Sequence, residues 1–223
     1  DDCESSTVQV EVNISNTPTD PQILPYEECA LDEGTPIAWS DLVVTAGTYT
    51  WYTDATSFTP IPEPTAFNSA TPISESYWVT VADAQGCVSN RAEVSVTVRE
   101  RPAADITGNP DICKGESATL TVNFTAGTAP YNFTYTDGKN PSANITTSDN
   151  PYTITGLAPE STTSYTLVTL SDAYCTSVAA DLTGTGTVTV NEAPTLGAIT
   201  APAAVCAGNP LSLTSPSVNN NGS

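Results

Sequence analysis

Apolar and polar residues alternate strictly in three valine-rich stretches of the chain: Val8-Gln9-Val10-Glu11-Val12-Asn13-Ile14, Val94-Ser95-Val96-Thr97-Val98 and Thr187-Val188-Thr189-Val190. A period of two sends successive side chains to opposite faces, so each stretch predicts a half-buried β-strand. Shorter β-branched and aromatic runs lie between them. Tyr49–Tyr52 and Tyr77–Val81 precede the second valine strand; Ala118–Val122, Tyr131–Tyr135, Tyr152–Thr155 and Tyr165–Val168 precede the third. Such runs favour the pleated, half-buried surface of a sheet. Turn dipeptides separate them: Gln85-Gly86, Asn109-Pro110, Asp137-Gly138 and Asn150-Pro151. No segment sustains a helical period, and the expectation is an all-β chain.

The valine strands belong to a larger repeat. Counting from Ile14, Val98 and Val190, a proline follows four residues later in each case, at Pro18, Pro102 and Pro194. A cysteine follows those prolines by 11, 11 and 12 residues: Cys29, Cys113 and Cys206. A further cysteine precedes each valine strand: Cys3, Cys87 and Cys175. The prolines lie 84 and 92 residues apart. Strand, proline and cysteine recurring in fixed order predict a tandem array. Residues 1–17 read as the last strand of a preceding unit, 18–100 and 101–192 as two whole units, and 193–223 as the start of a further, incomplete unit. About seven short strands per unit fit an immunoglobulin-like β-sandwich.

Composition then narrows the chemistry. The 223 residues carry 25 acids against 5 bases, a formal net charge of -20. Arg91, Arg99, Arg101, Lys114 and Lys139 make no basic footprint, so nucleic acid is not an expected partner. No apolar run is long enough for a membrane span, and membrane insertion is not expected. The chain contains no histidine. Ser-His-Asp and Cys-His nucleophiles and histidine-ligated metals therefore cannot form. A carboxylate pair could still serve a glycosidase, but no two acids stand out, and the expectation is a protein that is not an enzyme.

The six cysteines are widely spaced and none forms a C-x-x-C. An even count in an acidic, lysine-poor, Thr- and Ser-rich chain predicts disulfides and an oxidising location outside the cell. Pairing within units joins Cys29 to Cys87 and Cys113 to Cys175 and leaves Cys3 and Cys206 to partners outside the segment. Pairing across units joins Cys3 to Cys29, Cys87 to Cys113 and Cys175 to Cys206. The first is the expectation. A cysteine at a hairpin tip would lie a strand length, about 30 Å, from the entry of the next unit. Closing a loop of this size stabilises a small domain by roughly 4 kcal/mol in the chain-entropy picture.

Two runs of residues carry a family resemblance. The first is Thr50-Trp51-Tyr52-Thr53-Asp54-Ala55, followed by Tyr77-Trp78-Val79-Thr80-Val81 and Gly86-Cys87-Val88-Ser89-Asn90-Arg91. The second is Ile112-Cys113-Lys114-Gly115-Glu116-Ser117-Ala118-Thr119-Leu120-Thr121, then Gly127-Thr128-Ala129-Pro130-Tyr131 and Tyr165-Thr166-Leu167. Val205-Cys206-Ala207-Gly208-Asn209-Pro210-Leu211-Ser212-Leu213-Thr214 opens in the same way. The chain thus resembles the Ig-like tandem repeats of Bacteroidetes giant cell-surface adhesins, of which SprB-like gliding-motility adhesins are one kind. The resemblance implies a type IX secretion substrate at the cell surface. It implies neighbouring repeats and the secretion or surface-anchoring machinery as partners, with surface polysaccharide as a further one. The same repeats also occur as spacers in large secreted hydrolases.

Three roles follow from these residues. The expected one is a structural and adhesive segment. Only Ser15-Asn16-Thr17, Arg99-Glu100-Arg101 and Asn191-Glu192-Ala193 separate strand from proline, and joins that short, ending in proline, restrict hinging and predict a stiff rod. The alternative is a spacer or carbohydrate-binding accessory module. Trp39, Trp51, Tyr52 and Trp78 could stack on sugars, although strand aromatics usually face the core. With Tyr77, Val79 and Val81 inward, Trp78 is the surface candidate. The third role, an enzyme, has no residues to recommend it. No cofactor is expected. Oxygen-ligand calcium is chemically open, but the acid clusters Asp1-Asp2-Glu4, Glu27-Glu28, Asp32-Glu33 and Asp105/Asp111 match no calcium loop.

Overall fold

A computed structural model describes residues 8, 9, 11, 16–196, 207, 208, 218 and 219. The chain divides into two compact units, 1–100 and 101–223. Most of the expected strand Val8–Ile14 and most of 193–223, with Cys3 and Cys206, lie outside the described residues.

The first unit contains β1 (Tyr26–Cys29), β2 (Pro36–Ile37), β3 (Thr48–Tyr52), β4 (Phe67–Asn68), β5 (Ile73–Ala82) and β6 (Ala92–Arg99). Its main sheet has the order β1-β6-β5-β3, and β2 pairs with β4 in a small second sheet. The alternation read from the valines is the physical basis of β6. Val94, Val96 and Val98 are each no more than 2% exposed, while Glu93 and Ser95 face out. Opposite them, Val79 and Val81 of β5 and Trp51 of β3 complete the inner face. The second layer is thin. A 3-10 turn over Trp39–Leu42, the Ile23–Val43 bridge and Phe67 close the core. Trp39 sits edge-on to Phe67 and Tyr77, with ring centroids 5.7 and 4.7 Å away, and its indole N–H donates to the Thr65 carbonyl at 3.1 Å. A buried indole needs such a partner.

The second unit contains β7 (Ala103–Thr107), β8 (Asp111–Cys113), β9 (Ala118–Ala126), β10 (Tyr131–Thr136), β11 (Ile145–Thr147), β12 (Tyr152–Leu157), β13 (Thr163–Ser171), β14 (Leu182–Gly184) and β15 (Gly186–Asn191). Two sheets face each other, β11-β10-β13-β15-β8 and β12-β9-β7-β14. Beyond them, β16 (Thr195–Leu196) pairs antiparallel with β17 (Val218–Asn219). Leu120, Val122 and Phe124 of β9 meet Phe133 of β10, Leu170 of β13 and Val188 of β15. Phe124 stacks on Tyr131, centroids 4.0 Å apart.

Both boundary strands of this unit change sheets. The first runs in one sheet as β7 and in the other as β8; the last does so as β14 and β15. Glycine makes the second crossing possible. Gly184 has φ +77, and a Cβ there would collide with Asp105 Oδ1 and the Ile106 carbonyl; a Cβ on Gly186 would lie 2.7 Å from Leu120 Cδ1.

No α-helix occurs among the described residues. The fold is therefore all-β, with immunoglobulin-like β-sandwich units.

Candidate functional site

Each unit repeats one local construction around its two cysteines. The first strand runs parallel to the last: Cys29 is opposite Arg99 in the β1–β6 register, and Cys113 is opposite Asn191 in β8–β15. The next amide in each case continues the ladder, Ala30 N–H donating to Arg99 and Lys114 N–H to Asn191. The other cysteine follows a long strand, β5 or β13, through a tight turn held by an aspartate. Asp83 Oδ1 accepts from the amides of Gln85 and Cys87, both at 2.9 Å. Asp172 Oδ1 accepts from Tyr174 at 2.8 Å and Cys175 at 2.7 Å. These are Asx-type turns, in which the short carboxylate replaces a backbone acceptor. They explain why Asp-Ala precedes each of these cysteines.

The expected pairing within units does not form. Cys87 and Cys113 are free thiols, whereas Cys29 and Cys175 are disulfide-bonded. The bridges Cys29–Cys87 and Cys113–Cys175 are therefore corrected, and strand register gives the reason. Ile73 is opposite Val98, one residue from Arg99 and so near the level of Cys29; Cys87 lies beyond Ala82, which bridges to Val88. Nine residues of β5 separate these levels, about 30 Å at about 3.3 Å per residue. A disulfide needs Cα atoms within about 7 Å. A still longer span separates Cys113, level with Asn191, from Cys175, which follows Ser171 at the far end of β13.

Trp78 lies on the outer face of the first unit's sheet, half-buried, opposite Tyr52 on β3 and Glu93 on β6. Its neighbour Tyr77 points to the core against Trp39. The other aromatics proposed as sugar platforms are placed differently. Trp39 and Trp51 are buried in the core. Tyr52 is covered by the Arg91 guanidinium, 3.5 Å above its ring centroid. That guanidinium also donates to the carbonyls of Asp54 (3.1 Å) and Ser57, fastening the loop after β3. Within that loop Asp54 accepts from the backbone and side chain of Thr56 and the backbone of Ser57, and these hydrogen bonds hold its carboxyl below the usual carboxylate range. Phe58, fully exposed on the same loop, carries no signal in the sequence because it sits in no periodic run, and the role of Arg91 as the clasp of this loop is not legible from its place in the Gly86–Arg91 run.

Among the described residues, no group of three or more Cys, Asp or Glu is arranged to hold a metal ion. Glu27 is engaged by Arg99 at 2.5 Å, and Asp105 accepts a weak bond from Thr183 at 3.4 Å. No helix among the described residues is long and apolar enough to cross a membrane.

Residues 18–99 match the family described as "Ig-like domain CHU_C associated". The first unit is thus an Ig-like repeat by sequence as well as by fold. Among solved structures, an I-band fragment of titin is similar at 16% identity and TM-score 0.44, over 77% of this chain and 64% of that one. The chain therefore spans somewhat under two-thirds of that fragment. The D00-D0 domain of intimin matches at 11% identity and TM-score 0.38, over 76% of this chain and 98% of that one. Fibronectin(III)-like modules of Clostridium thermocellum CbhA match at 14% identity and TM-score 0.33, over 77% and 94%. No curated protein matches the chain.

Proposed function

We propose that this chain is a non-enzymatic structural and adhesive segment of a large secreted bacterial cell-surface adhesin, a stiff stalk for surface attachment or gliding. The observation that carries the reading is the join. β6 ends at Arg99 and β7 begins at Ala103, so only Glu100, Arg101 and Pro102 lie between two sandwich units. So short a connector, with one proline-locked φ, leaves little hinge freedom. Two further features support it. Oxidised Cys29 and Cys175 suit an extracellular location. A net charge of -20 keeps like-charged units apart and soluble. Its partners are neighbouring repeats of the same polypeptide, the secretion or anchoring machinery (type IX in the Bacteroidetes reading) and surface polysaccharide. Antibody against this segment should label intact, unpermeabilised source cells, and deleting the repeats should reduce attachment or gliding. Labelling only after lysis would overturn the proposal.

The outward Trp78 favours a second reading, a carbohydrate-binding accessory module or spacer of a secreted hydrolase. Under it, insoluble polysaccharide retains the chain and Trp78→Ala releases it. Equal retention of both removes that reading.

A further inference from the structure

Arg91 organises the outward face of the first unit's sheet. It lies just before β6, two strands and so about 10 Å from β3 in the order β6-β5-β3. Continuing the β5–β6 register beyond Val79 and Ala92 sets it level with Thr80. Yet its guanidinium sits over the Tyr52 ring of β3 and donates to the Asp54 and Ser57 carbonyls. The side chain therefore lies across β5, at the level of Thr80 and Trp78. Val79 and Val81 point into the core, so Thr80 faces outward with Trp78. Thr80 is nevertheless only 5% exposed, and among the described residues its Oγ1 has no hydrogen-bond partner.

The same strap fixes the loop after β3. Besides the two carbonyls held by Arg91, Asp54 Oδ1 accepts from the amides of Thr56 and Ser57 at 2.8 and 2.6 Å. Ile61 N–H returns to the Trp51 carbonyl at 2.9 Å. Phe58 follows Ser57 directly and is fully exposed. A ring left in water forgoes the gain of burial, and a loop tied at this many points does not fold it back. An aromatic ordered in advance loses little freedom on binding. Trp78, half-buried on the face that the strap crosses, has the exposed Glu93 opposite it on β6.

We propose that Trp78 and Phe58 are two stacking platforms for a neutral polysaccharide chain, with the Glu93 carboxylate accepting hydrogen bonds from its hydroxyls. The C–H face of a sugar ring packs on an aromatic face, while its hydroxyls need polar partners at the rim. Charge selects a neutral chain. The one base here, Arg91, is committed to Tyr52 and to backbone carbonyls, Asp54 and Glu93 are acids, and the net charge of -20 repels polyanions. Arg91 is a positioning residue in this site. The proposal rests on the carbohydrate-binding reading and is independent of the stalk reading.

The test uses the full chain and three insoluble probes: crystalline cellulose and curdlan, both neutral glucans, and cross-linked carboxymethyl cellulose, a polyanion. At least one neutral glucan should deplete the chain from solution, and carboxymethyl cellulose should not. Phe58→Ala and Glu93→Ala should each weaken retention about tenfold. Both positions are exposed, so their melting midpoints should stay at the wild-type value, which separates lost binding from lost folding. Retention by neither neutral glucan overturns the proposal and the carbohydrate-binding reading together. Retention by carboxymethyl cellulose alone, or retention that both variants leave unchanged, overturns the proposal but not that reading. A chain that is dimeric by light scattering and monomeric as Phe58→Ala gives this surface to a second copy and also overturns the proposal.

Discussion

Asp181 shows how much a single side chain does at the start of the second unit. Its Oδ2 accepts from Arg101 Nε and from Val178 N–H, both at 2.9 Å, and its Oδ1 accepts from Arg101 Nη2 at 3.3 Å. The Arg101 hydrogen bond is the main cause that holds this carboxyl below the ordinary aspartate value; burial opposes it, and the Val178 amide adds to it. A depressed folded-state pKa means that the stabilisation is complete above the unfolded value, about 4, and is lost as pH falls through the lower folded value. Asp181→Asn should therefore destabilise the unit by about 1–2 kcal/mol at neutral pH, with the gap to wild type closing in acid. Urea melts at several pH values check this, and a gap that persists at pH 2 would refute it. Gly184 makes a second residue-scale case. Its positive φ and the Asp105 and Ile106 oxygens beside it leave no room for a methyl group. Gly184→Ala should cost about 2 kcal/mol and lower the midpoint of this unit by roughly 10 °C, read by calorimetry.

At the scale of elements, the two alternating valine strands that fall within the described residues form as β6 and β15. Val94, Val96 and Val98 are all buried in β6, and Leu120, Val122 and Phe124 in β9. The elements that alternation does not reveal are short and lie where burial is one-sided or slight. β2, β4 and β14 have two or three residues each, too few to express a period. The ends at which the cysteines lie escape alternation for a different reason. Parallel pairing of first and last strands is a long-range property that leaves no local mark on Tyr26–Cys29 or Asp111–Cys113. One signal was available. Eleven residues from Pro18 to Cys29 span about 36 Å when extended, a whole sandwich length, which places that cysteine at the far end from the entry. Trp78 was legible because Tyr77, Val79 and Val81 share the other face. Each unit also has its own core, with buried clusters that share no residue. Leu120→Asp buries a charge in the second cluster and should unfold that unit alone. Calorimetry and tryptophan fluorescence can report this separately, since Trp39, Trp51 and Trp78 all lie in the first unit. Loss of both units together would show that they are not independent.

The whole molecule is acidic, all-β and built of repeats, and these properties act together. Sandwich units with separate cores can be strung in any number without redesigning the core. Acid clusters that match no calcium loop predict equal melting midpoints with calcium and with chelator, and a calcium-dependent rise would refute this. The stalk account stands or falls on stiffness in solution. Small-angle X-ray scattering of the oxidised chain measures it directly. A rod-like profile whose longest dimension approaches two sandwich lengths or more, unchanged between low and high salt, is the expected result. A compact profile, or one that needs a broad ensemble of bent forms, would contradict the account.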